Sequence, residues 1–376
     1  MNIIYFDNAA TTRIKSDVLN EMMPYLTNLY GNASSLYSIG RTSKRAIENA
    51  RKQVADLIKC NTNEIYFTSG GSESDNTALK GFATANREKG NHIITSKIEH
   101  PAILHTCESL EKQGYEVTYL NVDEQGIIDL NELKNAIKPT TILISIMFAN
   151  NEIGTIQPIE EISNIAKTNN IIFHTDAVQA VGNVHIDVKK MGIDMLSISG
   201  HKIHAPKGIG ALYIKNGINM DKLIEGGHQE KDKRAGTENV AGIVGLGKAC
   251  EIANTNIDKH IITLSKLRNY YITKIQKEIA DKIRINGTME QRLPGNANIS
   301  IEGADASEVI FKLDEKGICV SSGSACSSGN SSPSHVLKAI GVPDKYLNCA
   351  IRTTFGENNT YEEIDYLVKL IKTIIK

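Results

Sequence analysis

Charge of a single sign is missing from this chain. In 376 residues, 42 Lys and Arg stand against 43 Asp and Glu, and no long run of either sign interrupts the balance. Without a basic face there is no electrostatic footprint for nucleic acid or an anionic membrane surface. No stretch approaches the roughly 18 uninterrupted apolar residues of a membrane span. The opening Met1-Asn2-Ile3-Ile4-Tyr5-Phe6-Asp7 lacks the basic and apolar regions of a secretory signal. The expectation is a soluble cytoplasmic protein. Cysteine is sparse: the six, at 60, 107, 250, 319, 326 and 349, form no CxxC pair. That spacing argues against a zinc site and a secreted disulfide framework, and leaves room for one reactive thiol.

What is present is alternation. Strand-length apolar runs at Ile65–Thr68, His92–Thr95, Glu116–Leu120, Thr141–Met147, Ile171–His174, Met195–Ser199 and Gly210–Ile214 are separated by helical patterns. One helix is expected over Lys44–Lys59, with Ala46, Ala50, Val54 and Leu57 on its stripe. Strands alternating with helices imply a mainly parallel sheet covered by helices, whose ligands gather at the carboxyl ends of the strands. A long connecting helix is expected through Ile257, Ile261, Leu264, Tyr271, Ile275 and Ile279. Beyond Asn286-Gly287 the texture turns to short strands and loops, ending in a helix opened by Thr360 and Glu363 at capping-box spacing. The expected architecture is α/β: a large domain over residues 15–256, and a smaller α+β domain built from 1–14 and 257–376. Gly242, Gly245 and Gly247 fall inside a helical stretch, where close helix packing explains them better than a nucleotide loop does.

Four segments at strand exits carry polar residues that a plain core does not need. The first, Thr68-Ser69-Gly70-Gly71-Ser72-Glu73-Ser74-Asp75, can close backbone N–H groups on an anion at a helix start, or can be an ordinary turn capped by Ser72. In the second, Asp176 and Gln179 follow an apolar strand. A strand-end acid is commonly a cap or ion-pair partner, and it can also pair with a protonated ring nitrogen. In the third, Ser199-Gly200-His201-Lys202 sets a lysine among small and polar residues. That suits a Schiff-base lysine, against the bland reading of a solvated one. A metal site from His201 and His204 lacks an acidic or thiolate ligand at matching spacing. The fourth, Ser321-Ser322-Gly323-Ser324-Ala325-Cys326-Ser327-Ser328-Gly329, surrounds its cysteine with residues of an exposed loop, where a thiol could serve as nucleophile or stand by.

Together with Asp7-Asn8-Ala9-Ala10-Thr11-Thr12, Glu99-His100-Pro101, Ala149-Asn150-Asn151-Glu152-Ile153-Gly154, Arg234-Ala235-Gly236-Thr237-Glu238-Asn239 and Arg292-Leu293-Pro294-Gly295-Asn296, these segments resemble a known family nearly end to end. It is the cysteine desulfurases of the NifS/IscS type, within the class V aminotransferases of pyridoxal-phosphate fold type I. The resemblance implies a homodimer that takes sulfur from L-cysteine, releases L-alanine, and passes a Cys326 persulfide to a sulfur acceptor or iron–sulfur scaffold protein. It implies that Lys202 binds pyridoxal 5'-phosphate covalently, His100 stacks on its ring and Asp176 pairs with the ring nitrogen. Gln179 and Asn151 would lie near the ring hydroxyl, and Gly71, Ser72, Ser199 and His201 would hold the phosphate. Thr237 would reach the phosphate of the neighbouring subunit. Arg352, with Asn151 beside it, would grip the substrate carboxylate, and Cys326 would attack the sulfur. The chain departs from the family pattern at Ala33 and Tyr37, at Thr353-Thr354 after Arg352, and at His228. Rival readings are another class V enzyme, an aminotransferase, a kynureninase-like hydrolase or a selenocysteine lyase, and a non-catalytic family member.

Overall fold

The computed structural model describes residues 3–322 and 333–375. Among them lie twelve strands: β1 (Ile4–Tyr5), β2 (Ile65–Thr68), β3 (His92–Ser96), β4 (Glu116–Leu120), β5 (Thr141–Ser145), β6 (Ile172–Asp176), β7 (Met195–Ser199), β8 (Gly210–Ile214), β9 (Ile283–Ile285), β10 (Asn296–Ile301), β11 (Ile318–Cys319) and β12 (Ala350–Thr354). Seven form one sheet in the order β2-β8-β7-β6-β5-β3-β4. β7, β6, β5, β3 and β4 pair in parallel, whereas β8 runs antiparallel to both β7 and β2. β2 therefore shares the direction of β7, and β8 alone opposes the rest. Every residue of β3, β5, β7 and β8 is buried, which requires cover on both faces of the sheet.

All seven expected strands form, with four shifted ends: β3 runs one residue further, to Ser96, β6 starts one residue later, at Ile172, and the far ends of β5 and β6 move as well. The β5 ladder stops at Ser145, but the chain stays bonded to β6 beyond it, through Ile146 N–H to His174 O and Phe148 N–H to Asp176 O. β6 runs on to Asp176, which pairs in register with Ser197. The helix expected over Lys44–Lys59 begins earlier, at Ser38, and ends where Lys59 turns left-handed at φ 58°. Its buried stripe includes Ile47, with Ala46 only partly covered, because the larger side chain takes the core-facing position.

The rest of the chain forms an antiparallel sheet, β12-β10-β9, and a parallel pair, β1-β11. Phe6, Ile299, Ile301, Ile318, Ile351 and Phe355 gather there with the inner face of the helix Tyr361–Ile374. That helix carries the expected capping box: Thr360 Oγ1 accepts from Glu363 N–H, and the Glu363 carboxylate accepts from Thr360 N–H. A single helix, Val240–Ile279, spans 40 residues. Its Ile243, Leu246, Ala249 and Cys250 pack with the main sheet, and its Leu264, Leu267, Tyr271 and Ile275 with the small one.

Gly245 and Gly247 let this helix approach its neighbours. A Cβ on Gly247 would lie 2.5 Å from Ala50 Cα, and one on Gly245 would lie 2.6 Å from Met22 Sδ. Alanine at an open helix site gains about 1 kcal/mol over glycine. At Gly247 the clash is with backbone, so Gly247→Ala is expected to lower stability by about 1–2 kcal/mol, the usual scale of overpacking. Urea unfolding would register the loss as a lower midpoint; a midpoint above that of the parent would contradict this packing.

Candidate active site

Because β2, β3, β5, β6 and β7 point the same way, their carboxyl ends meet at one edge of the sheet. The segments leaving that edge line a cavity of about 640 Å³. Its walls include Gly71, Ser72, His100, Asn151, Asp176, Gln179, Ser199, His201, Lys202 and Arg352, so ten of the twelve residues singled out from the sequence share one space. Thr237 is exposed and does not line it. Cys326 lies outside the described residues.

The cavity is closed on one side by the chain that follows β1. Lys202, in the turn after β7, donates from Nζ to the carbonyls of Ala9 and, at 2.8 Å, Ala10. Gln179 Nε2 donates to the same Ala9 carbonyl at 3.0 Å. His201 Nδ1 meets Thr11 Oγ1 at 3.1 Å, and its carbonyl accepts from Thr12 N–H at 2.9 Å. Burial, with Lys202 and Lys207 adding like charge, pushes the His201 pKa down to about 4. At neutral pH its imidazole is uncharged.

On the β2 side, Gly70 adopts φ 156° and ψ −176°, a region open essentially to glycine alone. The turn starts a helix at Gly71, where a Cβ would stand 2.7 Å from Val178 Cγ2 and 3.4 Å from Ser199 Cβ. Glu73 stabilises this corner, accepting from Ser69 N–H at 2.8 Å and from Arg234 Nε at 2.9 Å. The segment around Thr237 is thereby tied to the cavity rim through Arg234.

The floor is a group of buried acids and imidazoles. Asp176 accepts from Val178 N–H at 2.9 Å. Burial raises its pKa, while His100, that N–H and Lys202 pull it back. His100 caps the helix Pro101–Glu111, whose first-position proline needs no N–H partner. Ala102 N–H donates to His100 Nδ1 at 3.1 Å, which leaves the neutral ring's proton on Nε2. Burial lowers the His100 pKa, and the charge of Asp176 opposes that. In this state His100 is a donor at Nε2, not a base there.

Sequence reasoning gave no role to three further groups. His174 on β6 lies between Ser145 Oγ (2.9 Å) on β5 and Ser197 Oγ (3.0 Å) on β7. Burial pushes its pKa down to about 3, so its 3.8 Å approach to Asp75 is not an ion pair. Asp75 lines the cavity, and burial together with the Asp176 charge raises its pKa. Glu99 accepts from Ser96 Oγ at 2.6 Å and Met147 N–H at 3.0 Å, yet burial pushes its pKa up to about 8. A usable signal existed: hydroxyls and imidazole inside strands that are otherwise apolar. Only the register between strands brings them together.

At the far wall Arg352, on β12, is buried; Nη1 donates to Asn151 O at 3.0 Å and Nη2 to Asp7 Oδ1 at 2.8 Å. All five described cysteines have pKa values raised chiefly by burial, Cys60 and Cys250 to about 12. None is a ready thiolate.

A chain with a lysine past one strand, an acid ending the next and a glycine cradle opposite is of the fold-type I kind. The class-V aminotransferase family model matches residues 4–367, and the chain belongs to that family. More narrowly, it is 54% identical over 373 residues to a cysteine desulfurase IscS of Methanosarcina thermophila, covering 99% of this chain and 92% of the relative. A solved NifS-like protein superposes with a TM-score of 0.93 at 38% identity over 99% of each chain. A structure of SspA in complex with cysteine superposes at 0.83 and 37% identity, over 95% of this chain and 99% of that one.

The raised Glu99 pKa makes a pH test possible. A carboxyl with a folded pKa near 8 contributes stability that is fully present below its unfolded pKa and lost as pH rises through the folded one. Glu99→Gln removes that titration. In the cofactor-free protein, the melting temperature of the variant relative to the parent should climb by roughly 2 °C or more between pH 5 and pH 8. A constant difference across that range would show that Glu99 is charged throughout.

Proposed function

We propose that the chain is a cysteine desulfurase using pyridoxal 5'-phosphate, with Lys202, Asp176, His100 and Arg352 as its site and Cys326 as its nucleophile. The observation that carries this is the meeting of an amine, a buried acid and an imidazole in one cavity with a guanidinium on its opposite wall. The donor set suits the cofactor: Lys202 for its aldehyde, Asp176 for its ring nitrogen, and Ser72, Ser199 and the Gly71 backbone for its phosphate. A side chain at position 71 would collide with Val178, so close backbone approach is favoured there. When bound, the cofactor supplies the electron sink that makes the α-proton removable and the C–S bond of cysteine breakable.

The chain's own residues do the rest. Arg352 orients the substrate through its carboxylate. Lys202 takes the α-proton, its Nζ being kept at the cavity wall by the Ala9 and Ala10 carbonyls. His100, carrying its single proton on Nε2, can donate a hydrogen bond into the cavity. The Cys326 thiolate attacks the substrate sulfur: an S–S bond forms as the C–S bond breaks, and the carbon gains the electron pair and is protonated to alanine. Ser321 exchanges two backbone hydrogen bonds with Arg352, at 3.2 and 2.6 Å. Cys326 follows five residues later in the sequence.

We infer further that the active unit is a homodimer, supported by the exposure of Thr237 away from its own cavity. A sulfur acceptor or iron–sulfur scaffold protein would receive the persulfide. The two apolar clusters joined by the helix Val240–Ile279 support a large domain over 15–256 and a small one from 1–14 and 257–376. No described helix is long and apolar enough to cross a membrane.

Two outcomes test the assignment. Lys202→Ala is expected to retain no covalently linked cofactor after borohydride reduction, as read by mass spectrometry; an unchanged adduct would move the role to another lysine. Cys326→Ser should keep the cofactor but lose alanine production by roughly three orders of magnitude. After cysteine treatment the parent should carry one added sulfur on the peptide containing Cys326. Added sulfur on a different cysteine would refute the proposed nucleophile.

A further inference from the structure

Arg352 is not idle before substrate arrives. Its side chain is 2% exposed, and Nη2 is 2.8 Å from Oδ1 of Asp7, whose own side chain is 15% exposed. Asp7 is fixed from several directions: it bridges to Thr354 on β12, and its carbonyl accepts from Tyr5 Oη at 3.0 Å. A buried guanidinium needs such a counter-charge. The same guanidinium, however, is the group given to the substrate carboxylate in the function proposed above, on which this inference rests. A second carboxylate arriving there meets a charge already neutralised and a like charge close by, in surroundings that screen poorly.

We propose that Asp7 is an affinity-setting residue, an internal carboxylate that competes with the carboxylate of the amino-acid ligand for Arg352. The ligand class is the free α-amino acid. Substrate cysteine and product alanine carry the same carboxylate, so the competition weakens both alike. Weakening of that uniform kind raises KM and speeds product departure without acting on the chemical step. The orientation of Arg352 does not depend on the Asp7 charge, because Nη1 also donates to Asn151 O and the residue is held within the β10–β12 ladder. Asp7→Asn keeps an acceptor oxygen of the same reach and removes only the charge. Loss of the competitor should therefore outweigh loss of positioning.

The test uses holoenzyme carrying Cys326→Ser, so that binding is read without turnover from the absorbance change of the bound cofactor. It compares L-cysteine with cysteamine, which has the same amine and thiol but no carboxylate. Asp7→Asn should tighten L-cysteine by about tenfold and leave cysteamine unchanged, since the like charge acts only on the carboxylate. Asp7→Glu should stay near the parent. Asp7→Ser, a shorter neutral variant, gives the same comparison if the asparagine variant folds poorly. Weaker or unchanged cysteine binding in both neutral variants overturns the proposal, as does equal tightening of both ligands. Arg352→Ala in the same background separates the two levels. If it leaves the preference for cysteine over cysteamine intact, the Arg352 assignment itself is wrong. If it abolishes that preference while the Asp7 variants stay silent, only the role of Asp7 falls.

Discussion

The common direction of β2, β3, β5, β6 and β7 is the constraint from which the site follows. Parallel strands place their carboxyl ends at one edge, so residues from five separate stretches of sequence meet without any of them being neighbours in the chain. The sheet is buried on both faces, so that edge is where its polar exits are accommodated. Asp176 shows the consequence most directly. As the last residue of a buried strand it is held away from water, where a charge is costly unless matched by a cation or donor. An arriving protonated ring would be such a match.

The surrounding acids extend this logic. Asp75, Glu99 and Asp176 are all buried, and each one's charge would raise the cost of charging the others. Imidazoles beside them, His100 and His174, are kept neutral by the same burial. Burial therefore works against charge on the acids and on the imidazoles of the cavity floor alike.

Much of this was legible in the sequence because it was local. Strand runs, the Thr360–Glu363 cap, the glycines of the long helix and the polar exits are each encoded within a few residues. The contacts that escaped are long-range. Asp7 meets Arg352 across 345 positions, and Ser145, His174 and Ser197 become neighbours only once three strands are aligned in register. Helix phase also escaped: the stripe of Ser38–Ile58 turns on whether Ala46 or Ile47 faces inward, which packing decides. The tautomer of His100 could not be read either, since it follows from a backbone N–H at a helix start. Cys326 was conspicuous for its neighbours alone, and the described residues do not include it.

The helix Val240–Ile279 bears on how the molecule can move. Its 40 residues make a rod of about 60 Å, anchored at one end against the main sheet and at the other against the small one. The proposed division between residues 256 and 257 would fall inside it, at a point with no proline, glycine or break in the helical ladder. A chain cannot hinge where every carbonyl is already bonded four residues on. Any rocking of Arg352 against Lys202 must be absorbed elsewhere, in the extended stretch between β1 and the helix Ser16–Thr27, or as twist along the rod. A strut of that kind favours small sliding and torsional displacements at the cavity over wide jaw-like opening.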